Sequence, residues 1–466
     1  MRGGSAPRRP RTGAALATLA ALLAALAVAP IAAAREVWRR GEAAVELSGS
    51  LRELVTTAEL TDRDDFLEAF DPTGGEPDCV PPGLAQPPIL PAGNFEDCRA
   101  FREVGDQRVW QSLTRLRIAL DWSATAWLSG SLVADNELRV GQLDTLEASL
   151  SRGLGADSFL GAEDNVSRSD HASWRTLLYR GFVRAEVGPA EAVVGRQRIA
   201  WGVARLWNPM DRFNFVPPLA IEGDQSDGVD AVLARWNFDG FRFLEAVYAP
   251  GSSRDEARYA LRIQGVWWDT DVSIMGGVFE RAPSVGFDLA RNLGDAAFRM
   301  EAVFTDPEES FQPVGASKAR EPGQYWQVVV SLDYNFDLGS GLYVLAEHLY
   351  NGNALGFGRG RAAGLLPLIQ NDGSTSRAVF AGSQVVTAAR HQTGVQVGYD
   401  LLSELRGELV AIYDWNGGSA VFYPALTYGL ADFVELRAGA QLGVGPRHSQ
   451  YGEVGTLGFL QADFYF

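Results

Sequence analysis

Cysteine and histidine are scarce in this chain. Among its 466 residues there are 2 cysteines and 4 histidines. The histidines, His171, His348, His391 and His448, are scattered and have no Ser, Asp or Glu arrangement beside them that would form a catalytic set. We therefore expect a protein that is not an enzyme, with no catalytic residues, no cofactor and no metal site.

Long apolar runs are also scarce. Beyond residue 34 no run reaches the roughly 20 residues that a transmembrane helix needs. The one long run, residues 13–31, is almost entirely Ala and Leu, follows four arginines between residues 2 and 11, and precedes three alanines at 32–34. This order is typical of a secretory signal peptide. We predict a cleaved signal peptide over residues 1–34 and a single mature domain over residues 35–466.

Basic residues are the minority charge. Lys and Arg number 41 against 58 Asp and Glu, so the net charge is −17. Removal of the signal peptide takes four arginines away and moves the charge from −17 to −21. A chain this acidic is unsuited to nucleic acid as a partner. The composition indicates an acidic, exported protein.

The two cysteines lie close together in one stretch rich in Pro and Gly. Cys79 and Cys98 are 19 positions apart. Exported proteins mature in oxidising compartments, where cysteines mostly form structural disulfides. We predict that Cys79 and Cys98 pair.

Alternation with a period of two dominates the mature chain. Residues 115–122 place Leu116, Ile118 and Leu120 on one face and arginines and an aspartate on the other. One apolar and one polar face, repeated over segments of about ten residues with aromatic residues near their ends, is typical of transmembrane β-barrels. We predict an all-β fold, a transmembrane antiparallel up-and-down β-barrel of about 18 strands, with 16 as the alternative. The strands are predicted near 43–58, 108–122, 124–135, 174–188, 190–200, 227–237, 240–249, 258–268, 271–280, 282–291, 296–305, 325–336, 342–350, 390–400, 405–415, 418–429, 433–443 and 454–466. Two positions, Glu245 and Gln197, break the pattern.

The last predicted strand ends in aromatic residues. Phe464 and Phe466 share a face of residues 454–466, which resembles the terminal signature by which outer-membrane barrels are recognised for assembly. This resemblance implies a location in the bacterial outer membrane. The implied partners are outer-membrane lipid, lipopolysaccharide and the barrel-assembly machinery, and the sequence is compatible with a homo-oligomer.

The third outer loop, residues 201–226, is the candidate constriction. In general porins the third loop folds into the lumen, and by that resemblance we expect the same here. The candidate constriction residues are Arg205, Asp211, Arg212, Glu222, Asp224 and Asp227. Six arginines are predicted to point inward from the wall as a basic ladder: Arg180, Arg184, Arg196, Arg198, Arg258 and Arg262. An acidic loop opposite a basic wall would produce a transverse field that sorts solutes by charge. The alternative is that these arginines only pair with lumen acids and fill space.

Two short runs point to a subfamily. Residues 194–202 (VGRQRIAWG) with 208–211 (NPMD), and residues 347–353 (EHLYNGN), resemble poorly characterised porin-like barrels related to the alginate-export type. The resemblance covers a small part of the chain and implies no particular substrate.

A barrel of 16 to 18 strands is wide enough for an aqueous channel. We therefore predict a passive outer-membrane channel for small, charged or zwitterionic solutes. A dedicated export or uptake barrel for an anionic polysaccharide or a hydrophobic compound is one alternative. A non-conducting structural barrel is another.

Overall fold

The computed structural model describes residues 35–59, 108–141, 163–169, 172–214, 216–222, 228–251, 257–307, 323–354, 387, 389–446, 449–452 and 456–466. Within these ranges no helix is long and apolar enough to cross a membrane. The two cysteines, the predicted signal peptide, Asp224 and Asp227 lie outside the described residues.

Twenty β-strands form one sheet in this part of the chain. They are β1 (Arg35–Arg40), β2 (Ala43–Glu59), β3 (Arg108–Thr125), β4 (Leu128–Gly141), β5 (Glu163–Ser169), β6 (Ala172–Val187), β7 (Ala190–Gln197), β8 (Val229–Asn237), β9 (Phe243–Ala249), β10 (Arg258–Trp267), β11 (Thr270–Phe279), β12 (Ala282–Leu293), β13 (Ala296–Thr305), β14 (Tyr325–Phe336), β15 (Leu342–Asn351), β16 (His391–Leu402), β17 (Leu405–Asp414), β18 (Ser419–Ala431), β19 (Val434–Val444) and β20 (Thr456–Tyr465).

The sheet closes on itself. Each wall strand pairs antiparallel with the next, and β20 pairs with β2 from Ser50↔Tyr465 to Glu59↔Thr456. Eighteen strands, all of the twenty except β1 and β5, make the closed wall. The predicted all-β barrel of 18 strands is therefore confirmed, and every predicted strand overlaps a strand of the structure.

Two strands were missed, and both fill a gap in the wall. β1 pairs with residues 43–47 of β2, below the point where β20 ends. β5 pairs with residues 172–177 of β6, above the part of β6 that pairs with β7. Neither strand alternates apolar and polar residues. Both form because their backbone pairs with an open strand edge, and neither depends on burying one face.

The outer surface of the wall is apolar. On β10, Tyr259, Leu261 and Ile263 are exposed, while Ala260 and Arg262 between them are buried in the lumen. Soluble monomers rarely expose apolar surface on this scale. Because it encircles a closed barrel, it fits a lipid environment.

Exposed tryptophans form two belts around the barrel. One belt lies at the end with the short turns and consists of Trp38, Trp127, Trp236, Trp267 and Trp268. The other lies at the end with the long connections and consists of Trp110, Trp174, Trp326 and Trp415. Tryptophan concentrates where a membrane meets water, so the belts mark the two interfaces. Short turns are typical of the periplasmic end of such barrels.

The chain terminus seals the wall. The N–H of Gly49 donates to the Phe466 carbonyl at 2.7 Å, and the N–H of Phe466 donates to the Gly49 carbonyl at 2.9 Å. A Cβ on Gly49 would lie 2.6 Å from the Phe466 ring, so only glycine leaves room for it. Phe464 is buried with Val434 and Ala462. The role of the two phenylalanines as an assembly signal stays a prediction.

Candidate functional site

The chain leaves the wall between β7 and β8, and the described residues 198–214 and 216–222, here called the lumen loop, lie inside the barrel. Ile199, Trp201, Trp207 and Met210 in this loop are each at most 2% exposed. The described part of the predicted third outer loop, residues 201–214 and 216–222, thus packs inside the lumen.

Gln197 stands where the loop leaves the wall. Its side-chain Nε2 donates to the carbonyls of Val193 and Ala231, each at 3.1 Å. Val193 and Ala231 both lie within the β7–β8 pairing, which ends at Gln197↔Val229, so the side chain folds back onto the backbone of the two strands. The glutamine that broke the sequence pattern is the last residue of β7 and binds the sheet.

Two wall glutamates bind the backbone of the loop. Glu301 on β13 accepts the N–H groups of Val203, Ala204 and Met210 at 2.5, 2.7 and 3.0 Å. Each carboxylate oxygen therefore has at least one loop donor. Bonds from N–H groups to a carboxylate are about twice as strong as neutral ones, so Glu301 is a firm anchor for this turn.

The second anchor is Glu347 on β15. Its two oxygens accept the N–H groups of Arg205, Leu206 and Trp207 at 2.9, 2.9 and 2.7 Å. Glu347 begins the EHLYNGN run noted in the sequence. That run therefore contributes an anchor of the lumen loop.

The loop has an internal structure of its own. Asn208 Nδ2 donates to the Trp201 carbonyl at 2.8 Å, and the Asn208 side-chain oxygen accepts the N–H of Asp211 at 3.0 Å. Asp211 Oδ1 accepts the N–H of Asn214 at 2.8 Å. Gly202 has φ +92°, and a Cβ there would meet the side-chain oxygens of Asn208 and Glu301. The NPMD run and the glycine thus set the shape of the loop.

Apolar side chains attach the loop to the wall as well. Trp201 packs edge-on against Phe213 of the same loop, with ring centroids 5.2 Å apart, and Phe213 packs in turn against Phe279 of β11, with ring centroids 5.4 Å apart. Trp201 Nε1 donates to Glu245 at 3.0 Å, which accounts for the other position that broke the alternation. Trp207 belongs to a second buried cluster with the wall residue Leu345. Residues 198–214 are therefore packed against the wall and do not form a loose flap.

The far end of the loop is held by charge. Glu222 pairs with Arg52 at 2.8 Å and Arg115 at 2.5 Å. Burial raises the pKa of Glu222, but the charges of Arg115 and Arg52 outweigh burial, so the pKa lies below its ordinary value. Arg437 on β19 donates to the carbonyl of Ile221 at 2.8 Å. The loop is therefore pinned to opposite sides of the lumen, at β13 and β15 and at β2, β3 and β19.

A cavity of about 680 Å³ remains between the loop and the wall strands β2 and β16–β20. Its charged lining residues are Arg52, Arg198, Arg205, Asp211, Glu408, Glu435 and Arg437. Arginines thus outnumber carboxylates by four to three. Both signs occur on the loop and on the wall, whereas the sequence predicted an acidic loop against a basic wall.

Asp211 stands out among the cavity-lining groups. It lies in the loop, outside the membrane-crossing strands, and is 5% exposed. Burial raises its pKa to about 7, against the lowering effect of the backbone N–H donors. Its charge therefore changes near neutral pH.

The residues of the predicted basic ladder have different surroundings. Arg198 lines the cavity. Arg196 is buried in a bidentate pair with Asp230, with both N···O distances at 2.8 Å. Arg184 lies near Glu191 at 3.4 Å.

The other three ladder arginines pack against neighbours. Arg180 stacks on the Tyr179 ring. Arg258 donates to the carbonyl of Phe213 in the loop. Arg262 lies over the Trp201 ring and donates to a neighbouring glutamine.

The predicted constriction residues also have different surroundings. Arg205 and Asp211 line the cavity. Arg212 is fully buried over the Phe279 ring, and Glu222 forms the ion pairs given above.

Sequence reasoning missed the two anchors and the arginines on the far side. Glu301 and Glu347 occupy polar positions of ordinary alternating strands, so their spacing reveals nothing about the loop. Arg52 and Arg115 are likewise typical lumen residues. The available signal was that Glu347 begins the EHLYNGN run, which a resemblance to other barrels had already marked.

Similarity searches bear on the fold. The chain matches no protein-family model and no curated protein. OccAB1 from Acinetobacter baumannii aligns with a TM-score of 0.51 at 8% sequence identity, over 93% of this chain and 98% of OccAB1. The fold is shared. OccAB2 from the same organism gives 0.50 at 8% identity over 91% and 98% of the two chains. The outer membrane protein opdK from Pseudomonas aeruginosa gives 0.45 at 9% identity over 91% and 98%. At these identities the likeness concerns the β-barrel fold and no solute, and the resemblance to the alginate-export type stays a hypothesis.

Proposed function

We propose that this protein is a passive channel of the bacterial outer membrane for small, charged or zwitterionic solutes. The observation that carries the proposal is the lumen loop, which is anchored across the barrel and leaves a cavity lined by charged groups. A loop held this way narrows a wide barrel without filling it. The width and charge of the remaining space then decide which solutes pass.

The outer surface supports the membrane location. An apolar band between two tryptophan belts surrounds the closed wall. Such a surface is stable in lipid and aggregates in water. Export through the predicted signal peptide and assembly in the outer membrane follow as parts of the same proposal.

The lining supports charged or zwitterionic solutes. Arg198 and Arg205 on the loop are exposed to the cavity, and Glu408 and Glu435 line it from the wall. Groups of both signs around one narrow space can hold and orient a solute that carries both charges. An apolar compound would have to displace water from these charged groups, which is costly.

Ion selectivity tests the proposal. We would measure reversal potentials of the refolded protein in planar bilayers, for the wild type and for Arg205→Glu. Reversing a charge about 10 Å from a passing ion changes the energy of that ion in water by about 0.8 kcal/mol, upwards for an anion and downwards for a cation. Screening over a Debye length of about 10 Å at 0.1 M salt leaves about a third of each change, so the anion-to-cation permeability ratio should fall roughly threefold at that salt concentration.

The matched control is Arg242→Glu. Arg242 lies in an exposed turn, paired with Asp239 and away from the lumen loop. This variant should keep the wild-type selectivity. A selectivity that is equal in all three proteins would contradict the charged constriction, and absence of current in all three would favour the non-conducting barrel.

A further inference from the structure

Two histidines meet on the outward face of the barrel. On β15, Glu347 points into the lumen, and the next residue, His348, is exposed on the opposite face. His348 pairs with Thr393 across β15 and β16, and Tyr350 pairs with His391. The two histidines are therefore diagonal neighbours on adjacent strands. They lie at the long-connection end, within the tryptophan belt that includes Trp415.

The ring nitrogens face each other. His348 Nε2 and His391 Nδ1 are 3.4 Å apart, and the ring centroids are 5.6 Å apart. Both rings belong to strands, which hold them more firmly than loops would. The separation of 3.4 Å is long for a hydrogen bond between the two rings, so the pair is loosely joined without a metal ion.

The distance fits a tetrahedral metal ion. Zinc binds imidazole nitrogen at about 2.0–2.1 Å, and two ligands at a tetrahedral angle are then about 3.4 Å apart. A square-planar ion would need its ligand nitrogens about 2.9 Å apart at the same bond length. The observed separation matches the tetrahedral value, so zinc can bind both nitrogens with little movement of the rings.

The surroundings of His348 fit a ligand. Its second nitrogen, Nδ1, lies 2.9 Å from Thr393 Oγ1. Trp415 Nε1 donates to the same oxygen at 2.8 Å. Metal-binding histidines almost always donate their other ring N–H to an oxygen, which fixes the tautomer and aims the lone pair at the metal. With Nδ1–H donated to Thr393, the lone pair of Nε2 points towards His391.

We propose that His348 and His391 form a zinc site on the outer face of the barrel, separate from the channel. Within the described ranges no group of three or more His, Cys, Asp or Glu could hold a metal ion, so the two histidines supply two ligands. Water or an exchangeable oxygen ligand takes the two other positions. The site is independent of the lumen loop, so a test of the zinc site does not depend on whether the protein is a channel.

The test is titration of tag-free, refolded protein with Zn²⁺ by calorimetry. We expect one zinc ion per barrel, with affinity falling at least tenfold in His348→Gln and in His391→Gln. The matched control replaces the other two histidines, His171 and His448, by Gln and should bind as the wild type does. Equal binding by the wild type and by the His348→Gln/His391→Gln double variant would overturn the proposal.

A second measurement needs no variant. Zinc X-ray absorption on the wild-type protein loaded with one equivalent reports the ligands directly. Two imidazole nitrogens at about 2.0 Å are expected. A shell of oxygen ligands without imidazole would place zinc on acidic loops and refute the histidine site.

Discussion

The lumen loop should loosen when its wall carboxylates lose their charge. In Glu347→Gln, the remaining carbonyl oxygen can keep the N–H groups of Leu206 and Trp207, while the new amide group faces the N–H of Arg205. One charged hydrogen bond is lost and two become neutral. Bonds to charged groups contribute about 1.5–3 kcal/mol and neutral ones about 1 kcal/mol.

The loss of hydrogen-bond free energy is partly offset, because glutamine avoids the cost of burying a charge. A net weakening of about 2 kcal/mol makes displacement of the loop about 30 times more frequent. Glu301→Gln should act alike, since Glu301 also accepts three loop N–H groups. The double variant should add the two effects, because the anchors bind different parts of the loop.

Single-channel recording reveals the displacement. The variants should show frequent steps to a larger conductance and a weaker selectivity, both more pronounced in the double variant. Glu186→Gln is the control, since Glu186 is an exposed acid near Arg184 with no bond to the loop among the described contacts. Wild-type traces from both single variants and from the double variant would refute the anchoring role of the glutamates.

Two further predictions concern the loop itself. Gly202→Ala should displace the loop and give the same traces as Glu301→Gln, because the new Cβ would lie 2.1 Å from Asn208 Oδ1 and 2.5 Å from Glu301 Oε1. The control is Gly276→Ala, whose new Cβ would meet nothing within 4 Å and which should conduct as the wild type does. Equal traces from the two alanine variants would contradict the role of Gly202 in the shape of the loop. The pKa of Asp211 is raised to about 7 by burial, so the group is neutral below that pH and adds a negative charge to the cavity above it. The preference for anions should therefore fall as pH rises through 7, as measured by reversal potential, and Asp211→Asn should abolish this change; a pH dependence that persists in the variant would assign it to another group.

The wall of the barrel was predictable because its physics is local. A strand that separates lipid from the lumen must alternate apolar and polar residues, and β10 with Leu261 outside and Arg262 inside follows this rule. Such patterns, with short turns between them, determined the strands and their number. The sequence pattern did not predict β1 and β5, because they lack the alternation. They form by pairing with strand edges that exist only in the closed barrel.

The site was predictable only in part. The position of the loop along the chain indicated that it enters the lumen, but the contacts that hold it join residues far apart in sequence. Met210 and Glu301 are 91 positions apart, and Arg52 and Glu222 are 170 apart. No local pattern encodes such pairs. Arg196 shows the same limit, because its partner Asp230 becomes its neighbour only when β7 and β8 pair.

Single-channel conductance of the wild-type protein, recorded with polyethylene glycols of increasing size in the bath, tests the central claim most directly. The account predicts discrete current steps, reduced by polymers small enough to enter the cavity beside the lumen loop and unaffected by larger ones. A folded barrel that inserts into the bilayer and passes no current would contradict it.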